Sequence, residues 1–319
     1  MGASRTSAIG STAKRSSVPP VEPVRRTPEI EDPSNRWIIH PLAACLVPRF
    51  AAMRISANAV SIAGMACGVL AGFAYRHYAD ARYAVVGFAL MIAWHVLDGA
   101  DGQLARLTRT QSELGKVLDG ICDYVTFISV YVALAIAMRA SLGSRVWALV
   151  ATAGLGHAIQ AAAYEAQRED YRWFATGSGS VRADAGPPAG VACPATQSRV
   201  RRAFNGLHRV YQRVQRRTTR GQAAYRARLA AVLERSPERA ENLRERYRAA
   251  FAPALRRWSV LSSNYRTLGL FLCAAFKVPA LYFGLEIVGL SAILVLLSVA
   301  QRLRYARFLR TIEAECASR

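Results

Sequence analysis

Apolar residues gather into six runs, at roughly 58–76, 83–105, 115–138, 145–166, 262–284 and 286–304. Each approaches the roughly 20 residues that carry a helix across hydrocarbon. The pattern predicts an all-α integral membrane protein with six transmembrane helices. The last two are joined by a short turn at Gly284-Leu285-Glu286. Between runs four and five the chain changes character. From about Arg168 to Arg257 it is too polar to span, and it opens with a Gly/Pro/Ser/Ala linker, ATGSGSVRADAGPPAGVACPATQS. Beyond the linker, Val200, Phe204, Leu207, Tyr211 and Val214 recur at helical spacing among arginines. Ser236-Pro237-Glu238 then combines an N-cap serine, an N1 proline and an early acid, so a second helix begins there. The expected result is a basic cytoplasmic helical hairpin that either lies on anionic lipid or braces the membrane domain.

Ahead of the first run, residues 1–34 are rich in Ser, Thr, Pro and Arg and hold no apolar block, which reads as a disordered basic arm rather than a signal peptide. From Asn35 to Arg54, aromatic and aliphatic residues mix with Arg and His, as in an interfacial amphipathic segment. Pro41 and Pro48 make it a broken helix at best. The expected organisation is therefore an arm at 1–34, interfacial segment and spans one to four at 35–166, the basic insertion at 167–258, and spans five and six with a basic tail at 259–319.

Charge fixes the orientation. The net charge is +21 with a pI near 10.6, which by amount alone suits nucleic acid. Its placement argues otherwise. With the N-terminus cytoplasmic, one face receives the arm, Arg106 to Lys116, the insertion and the tail RLRYARFLR. The other face receives only short loops, which carry Arg76, Arg82, Arg139 and Arg145. This asymmetry follows the positive-inside rule. It accounts for the basic composition without a nucleic-acid partner. The six cysteines (Cys45, Cys67, Cys122, Cys193, Cys273 and Cys316) form no CxxC pair and have no nearby His, which argues against structural zinc and a disulfide framework.

The chemistry is concentrated between Asp98 and Asp123, in DGADGQLARLTRTQSELGKVLDGICD. Asp98 and Asp101 are three apart, Asp119 and Asp123 four apart, so each pair shares a helical face. The topology places all four at the cytoplasmic ends of spans two and three. Clustered carboxylates without His or Cys are hard oxygen ligands that favour Mg²⁺, Mn²⁺ or Ca²⁺ over Zn²⁺. Two such ions can clamp the attacking and leaving oxygens of a phosphoryl displacement. Arg106 falls near the same face, and its fork suits a phosphate. Gly102, Ala105 and Gly115 leave room for a bulky ligand or a neighbouring helix. A cation transporter would instead distribute its acids through the bilayer depth on several helices.

The pattern Asp98-x₂-Asp101-Gly102-x₂-Ala105-Arg106-x₈-Gly115-x₃-Asp119-x₃-Asp123 resembles the signature of the CDP-alcohol phosphotransferase family at all eight fixed positions. Ser56-Ala57-Asn58 stands where relatives often carry Thr-Pro-Asn. The resemblance implies a six-helix enzyme of phospholipid synthesis, commonly a homodimer, with a cavity open to the cytoplasm, here the bacterial inner membrane. It implies a two-metal centre on Asp98, Asp101, Asp119 and Asp123. It places CDP over Gly102, Ala105 and Gly115 with Arg106 at its phosphates, and makes Asp123 the base for the acceptor hydroxyl. The implied reaction transfers a substituted phosphate from CDP-diacylglycerol to an alcohol such as inositol or inositol phosphate, releasing CMP. The reverse assignment, a soluble CDP-alcohol delivering its head group to diacylglycerol or ceramide, uses the same carboxylates.

For the acceptor, His157, Gln160, Tyr164 and Arg168 form a polar stripe on one face of span four. Arg266 at the start of span five and Asn58 before span one complete the candidate set. His95 reads as a core residue and Lys277 as a snorkelling anchor at the far interface.

Overall fold

In the computed structural model, residues 28–176, 224–233 and 237–317 are described. The arm's residues 1–27 and the predicted helix carrying Val200 to Val214 lie outside them. The described residues are helical and contain no strand. The helices are α1 (His40–Ala52), α2 (Ala57–Tyr75), α3 (Ala81–Leu107), α4 (Glu113–Leu142), α5 (Arg145–Thr176), α6 (224–233), α7 (Ala240–Trp258), α8 (Ser263–Ala275), α9 (Pro279–Gly284) and α10 (Leu290–Ala317).

Five helical stretches among the described residues are long and apolar enough to cross a bilayer: α2, α3, most of α4, α5, and the run Pro279–Glu315. Local capping fixes several ends. Ser56 Oγ accepts from Ala59 N at 3.2 Å, Asp80 from Arg82 N at 2.9 Å, and Ser112 from Gly115 N at 3.0 Å. Ser56, first of the three residues aligned with Thr-Pro-Asn, is thus the N-cap of α2.

Three glycines set the packing of the first three spans. A Cβ on Gly64 would meet Leu97 and Trp94 of α3. One on Gly68 would fall inside the Thr126 side chain of α4, and one on Gly72 would come within 2.9 Å of the Ser129 carbonyl oxygen. Small residues four apart let helix backbones approach closely where lipid offers no hydrophobic drive. This contact seats α4 against α2 and α3, and with it one aspartate pair against the other.

The expected turn at Gly284–Glu286 is not where the chain reverses. The break lies at Phe276–Val278, where Lys277 adopts φ 62° and Pro279 opens α9. Proline disfavours a helical residue before it, and Val278 sits at φ −123°, ψ 48°. Residues 262–284 are therefore divided. α8 is only 13 residues, about 20 Å, shorter than the ~30 Å hydrocarbon core. Gly284 to Gly289 continue as helix through a π-helical stretch, Leu285–Gly289. The resulting Pro279–Glu315 run of 37 residues is about 55 Å long, so its arginine-rich end projects beyond hydrocarbon.

α5 likewise runs past residue 166, the expected edge of span four, to Thr176. Its last turns, α6, α7 and the second half of α10 enclose a separate core that includes Tyr171, Phe174, Tyr225, Leu229, Phe251 and Leu309. The expected helix start at 236–238 appears as a 3₁₀ turn, Pro237–Arg239, leading into α7. Leu243, Tyr247, Phe251, Leu255 and Trp258 make one apolar stripe on α7, and all are buried. That stripe is used inside the protein rather than on lipid, so α7 braces the spans. Arg248 donates to the Ala175 carbonyl at 2.6 and 3.0 Å, satisfying the end of α5. Arg246 forks onto Glu315 at 2.6 and 2.8 Å, and Arg226 of α6 pairs with buried Asp170.

Two expectations for the N-terminal part are corrected. Residues 28–34, which by composition are the end of a solvated arm, are docked: Ile30 and Asp32 are buried. Polar partners on other elements hold them. Tyr171 donates to Glu29 Oε2 at 2.5 Å, Arg256 to the Glu29 carbonyl at 2.9 Å, and Ser262 to Asp32 Oδ2 at 2.7 Å. The interfacial segment is also less broken than its prolines predict. A π-helical stretch, Asn35–Ile39, leads into α1, where Pro41 falls in the first turn and needs no donor, and the helix continues through Pro48. Trp37, Ile38 and Leu42 stay exposed on it, as an interfacial helix requires.

Candidate active site

α3 ends and α4 begins at the same end of the bundle, so the two aspartate pairs face one another. Carboxylate oxygens of Asp98, Asp101 and Asp119 all lie within 4.8 Å of one another. Asp123, one turn along α4, lines the same cavity. Asp101 is buried and accepts a short hydrogen bond from Ser61 Oγ of α2. Three like charges this close are mutually repulsive unless a cation or protons compensate. The donor set is all carboxylate oxygen, since His95 and His157 are engaged elsewhere, and such a set suits a hard divalent cation.

The cavity has a volume of about 970 Å³, the size of a large small-molecule site. Arg106 lines it, with its guanidinium 3.5 Å from where a Gly102 Cβ would be. Gly102 is on the wall, as expected, but Ala105 and Gly115 are not. Gly115 instead sits at the Ser112 cap, where an ideal Cβ on it would lie 3.2 Å from Ser112 Oγ and 3.6 Å from Asn58 Oδ1. Asn58 is exposed and also off the wall. Gly120, absent from the candidate set, lines the cavity with nothing within 4 Å of its missing Cβ. Its position one residue after Asp119 was the available signal.

The polar stripe of α5 divides. His157, Tyr164 and Arg168 reach the cavity. Arg168 pairs with Glu165 at 2.8 Å and lies over the Tyr164 ring at 5.5 Å. Gln160 is fully buried behind the wall. It donates to the Glu286 carbonyl and to Ser291 Oγ, both at 3.1 Å, and accepts from Arg266 at 2.6 Å. Arg266, at the cavity wall but only 2 % exposed, also faces Glu286 at 3.2 Å. An interfacial arginine that snorkels to head groups is therefore excluded. Its partner Glu286 resembles a turn residue in the sequence and carries no local signal of its role. His157 and Tyr131 share a 3.1 Å hydrogen bond, and Tyr131 bonds Tyr282 at 3.0 Å. His95 bonds Thr267 at 3.0 Å, in keeping with a core histidine, though it also borders the cavity. Lys277 is exposed at the α8–α9 reversal.

One side of the cavity is apolar. Phe127, Ile128 and Val132 of α4 and Trp147, Val150 and Ala151 of α5 line it. Ile128, Val132 and Trp147 are 57 %, 38 % and 41 % exposed, so this side continues to the surface of the spans. Another part of the lining is polar and comes from elsewhere in the chain: Asp32, Asn35 and His40, with Ser262, Ser263 and Asn264.

Residues 54–185, which contain all four aspartates, match the family model described as CDP-alcohol phosphatidyltransferase. No curated protein shows significant similarity to the chain.

Proposed function

We propose, for a chain whose residues 54–185 belong to the CDP-alcohol phosphatidyltransferase family, that its cavity joins a CDP-alcohol to a second alcohol and releases CMP. Transfer of a phosphate-containing group from a CDP-alcohol, in phospholipid synthesis, is the family's reaction. The observation that carries the proposal for this chain is the meeting of Asp98, Asp101 and Asp119 within 4.8 Å on the lining of the cavity. In our reading those three and Asp123 hold Mg²⁺ or Mn²⁺ as a two-metal centre. When bound, such ions neutralise phosphate charge and make an oxygen nucleophile available near neutral pH.

The chain's own residues supply the rest. Arg106 grips the phosphates with a fork that stays charged at any working pH. Gly102 and Gly120 keep the wall low where the cytidine nucleotide lies against it. Asp123 accepts the proton of the acceptor hydroxyl. The hydroxyl oxygen forms a new bond to the β-phosphorus, the one carrying the donor's alcohol. The bond from that phosphorus to CMP breaks.

We take CDP-diacylglycerol as donor and a small alcohol, inositol or inositol phosphate, as acceptor. The apolar side between α4 and α5 supports a lipid substrate, because it gives acyl chains a route to the carboxylates. Arg266, held at the wall by Gln160 and Glu286, and Arg168 support an acceptor carrying a phosphate. The charge asymmetry of the loops supports a cytoplasmic cavity, and we place the protein in a bacterial inner membrane. The family resemblance supports a homodimer.

The test is CMP release by the purified protein with Mg²⁺ or Mn²⁺, a panel of CDP-alcohols and a panel of acceptors. CDP-diacylglycerol with inositol or its phosphate should release CMP, and chelation should abolish it. Asp123→Asn should lower the rate on the order of 10³-fold. Full activity in that variant, or no CMP with any pair, would sink the assignment.

A further inference from the structure

A polar part of the cavity wall is built from two segments outside the matched region, and its hydrogen bonding is incomplete in an informative way. Asn264, in the first turn of α8, donates from Nδ2 to Ser34 Oγ and to Asn35 Oδ1, both at 2.7 Å. Asn35 makes no other side-chain hydrogen bond among the described residues, and neither does Asn264. Each amide carries both an acceptor oxygen and a two-hydrogen donor nitrogen. The contact uses one edge of each. It leaves one edge of each, a donor on Asn35 and an acceptor on Asn264, and both residues line the cavity. Reversing both amides together keeps the contact between them and merely exchanges the two edges. Under either assignment the wall presents one donor beside one acceptor.

A hydroxyl group is both donor and acceptor, so paired amide edges satisfy one hydroxyl, or two neighbouring ones, more fully than they satisfy an ammonium or an apolar group. The frame around the pair is fixed. Asp32 accepts from Ser34 N at 2.8 Å and from Ser262 Oγ at 2.7 Å. The far end of this N-terminal strap reaches the catalytic helix, where Ile39 and His40 lie within 3.5 and 3.9 Å of an ideal Cβ on Gly99, the neighbour of Asp98. At the near end, Arg256 of α7 holds the Glu29 carbonyl.

We infer that Asn35 and Asn264, which line the same cavity as the aspartates, form a hydroxyl-recognition subsite that selects a polyhydroxylated acceptor. This rests on the proposed transfer reaction for its place in catalysis, while the subsite itself is a statement about binding. It also gives the insertion a role, because α7 anchors the strap that carries Asn35.

The experiment uses the full chain in detergent and two readouts. One is binding, as the thermal shift produced by inositol, by glycerol 3-phosphate and by serine, which carries a single hydroxyl. The other is the steady-state rate of CMP release with CDP-diacylglycerol. The variants are Asn35→Asp, which keeps size and the bond from Asn264 but removes the free donor, and Asn264→Leu. For a polyol acceptor, KM should rise roughly tenfold in each, the scale of a lost hydrogen bond. Donor KM and kcat should stay within about twofold, and the polyol thermal shift should shrink in parallel. Unchanged acceptor KM in both variants, or an equal loss for serine, overturns the subsite while leaving the transfer reaction standing. CMP release absent from the wild type, with polyol binding present and weakened by both variants, sinks the reaction and keeps the subsite. A wild type that binds no polyol overturns the subsite.

Discussion

The two walls of the cavity are made in opposite ways. The carboxylate wall comes from one stretch, Asp98 to Asp123, folded as the end of α3 and the start of α4. The amide wall joins Asn264 to Ser34 and Asn35, which lie 230 and 229 residues away. The first lies within the family-matched region and the second outside it. Chemistry common to a family can sit on a compact, locally specified unit. Selection of a particular partner can then be left to segments that only the finished fold brings together.

The comparison breaks most easily behind the walls. Glu286→Gln would leave Arg266 charged, buried and without its counter-charge. Removing one partner of a buried ion pair costs about 3–5 kcal/mol. The expected result is a large drop in the denaturation midpoint in detergent, with the polyol and donor affinities falling together. A Glu286→Gln protein as stable as the wild type would show that Gln160 alone supports Arg266.

A smaller effect is expected at the seam that sets the carboxylate wall. Gly72→Ala places a methyl group against the Ser129 backbone, which cannot rotate away as a side chain can. Overpacking of this kind costs about 1–3 kcal/mol, visible as a lowered midpoint. Because the same seam seats α4, CMP release should fall with it while the amide wall is untouched. An unchanged midpoint would mean that α2 and α4 are looser than this contact implies.

The finest probe is Ser61→Ala. Ser61 donates to Asp101 and does not line the cavity, so its effect must act through that carboxylate. Loss of a supporting hydrogen bond of this sort weakens metal affinity on the order of tenfold or more. The Mg²⁺ concentration for half-maximal CMP release should rise by that factor, and saturating Mg²⁺ should restore kcat. Loss of kcat that no Mg²⁺ concentration restores would make Ser61 structural instead.

Most of the carboxylate wall was legible before folding. Spacings of three and four report a helical face directly, because helical geometry relates residues within one turn. The apolar runs gave the first four spans nearly in place for the same local reason. The glycines of α2 were also in plain view, but their meaning was not, since Gly64, Gly68 and Gly72 matter through Leu97, Thr126 and Ser129 on other helices. At Gly284-Leu285-Glu286 local reasoning misled. A glycine beside an acid inside an apolar run resembles a turn, whereas a buried Arg266 makes the acid a counter-ion and the helix continues. The reversal falls instead at Lys277-Val278-Pro279.

The sequence by itself determined that the protein is helical and membrane-spanning, and that its four aspartates fall in two pairs, each on one helical face. Those properties depend on hydropathy and short-range periodicity, which any helix expresses without help. Only the tertiary structure decided which glycines hold the spans together, that residues 28–34 are part of the cavity frame, and that Asn35 and Asn264 share a wall. Contacts across some 230 residues leave no periodic trace in the chain, because neither partner's local sequence depends on the other.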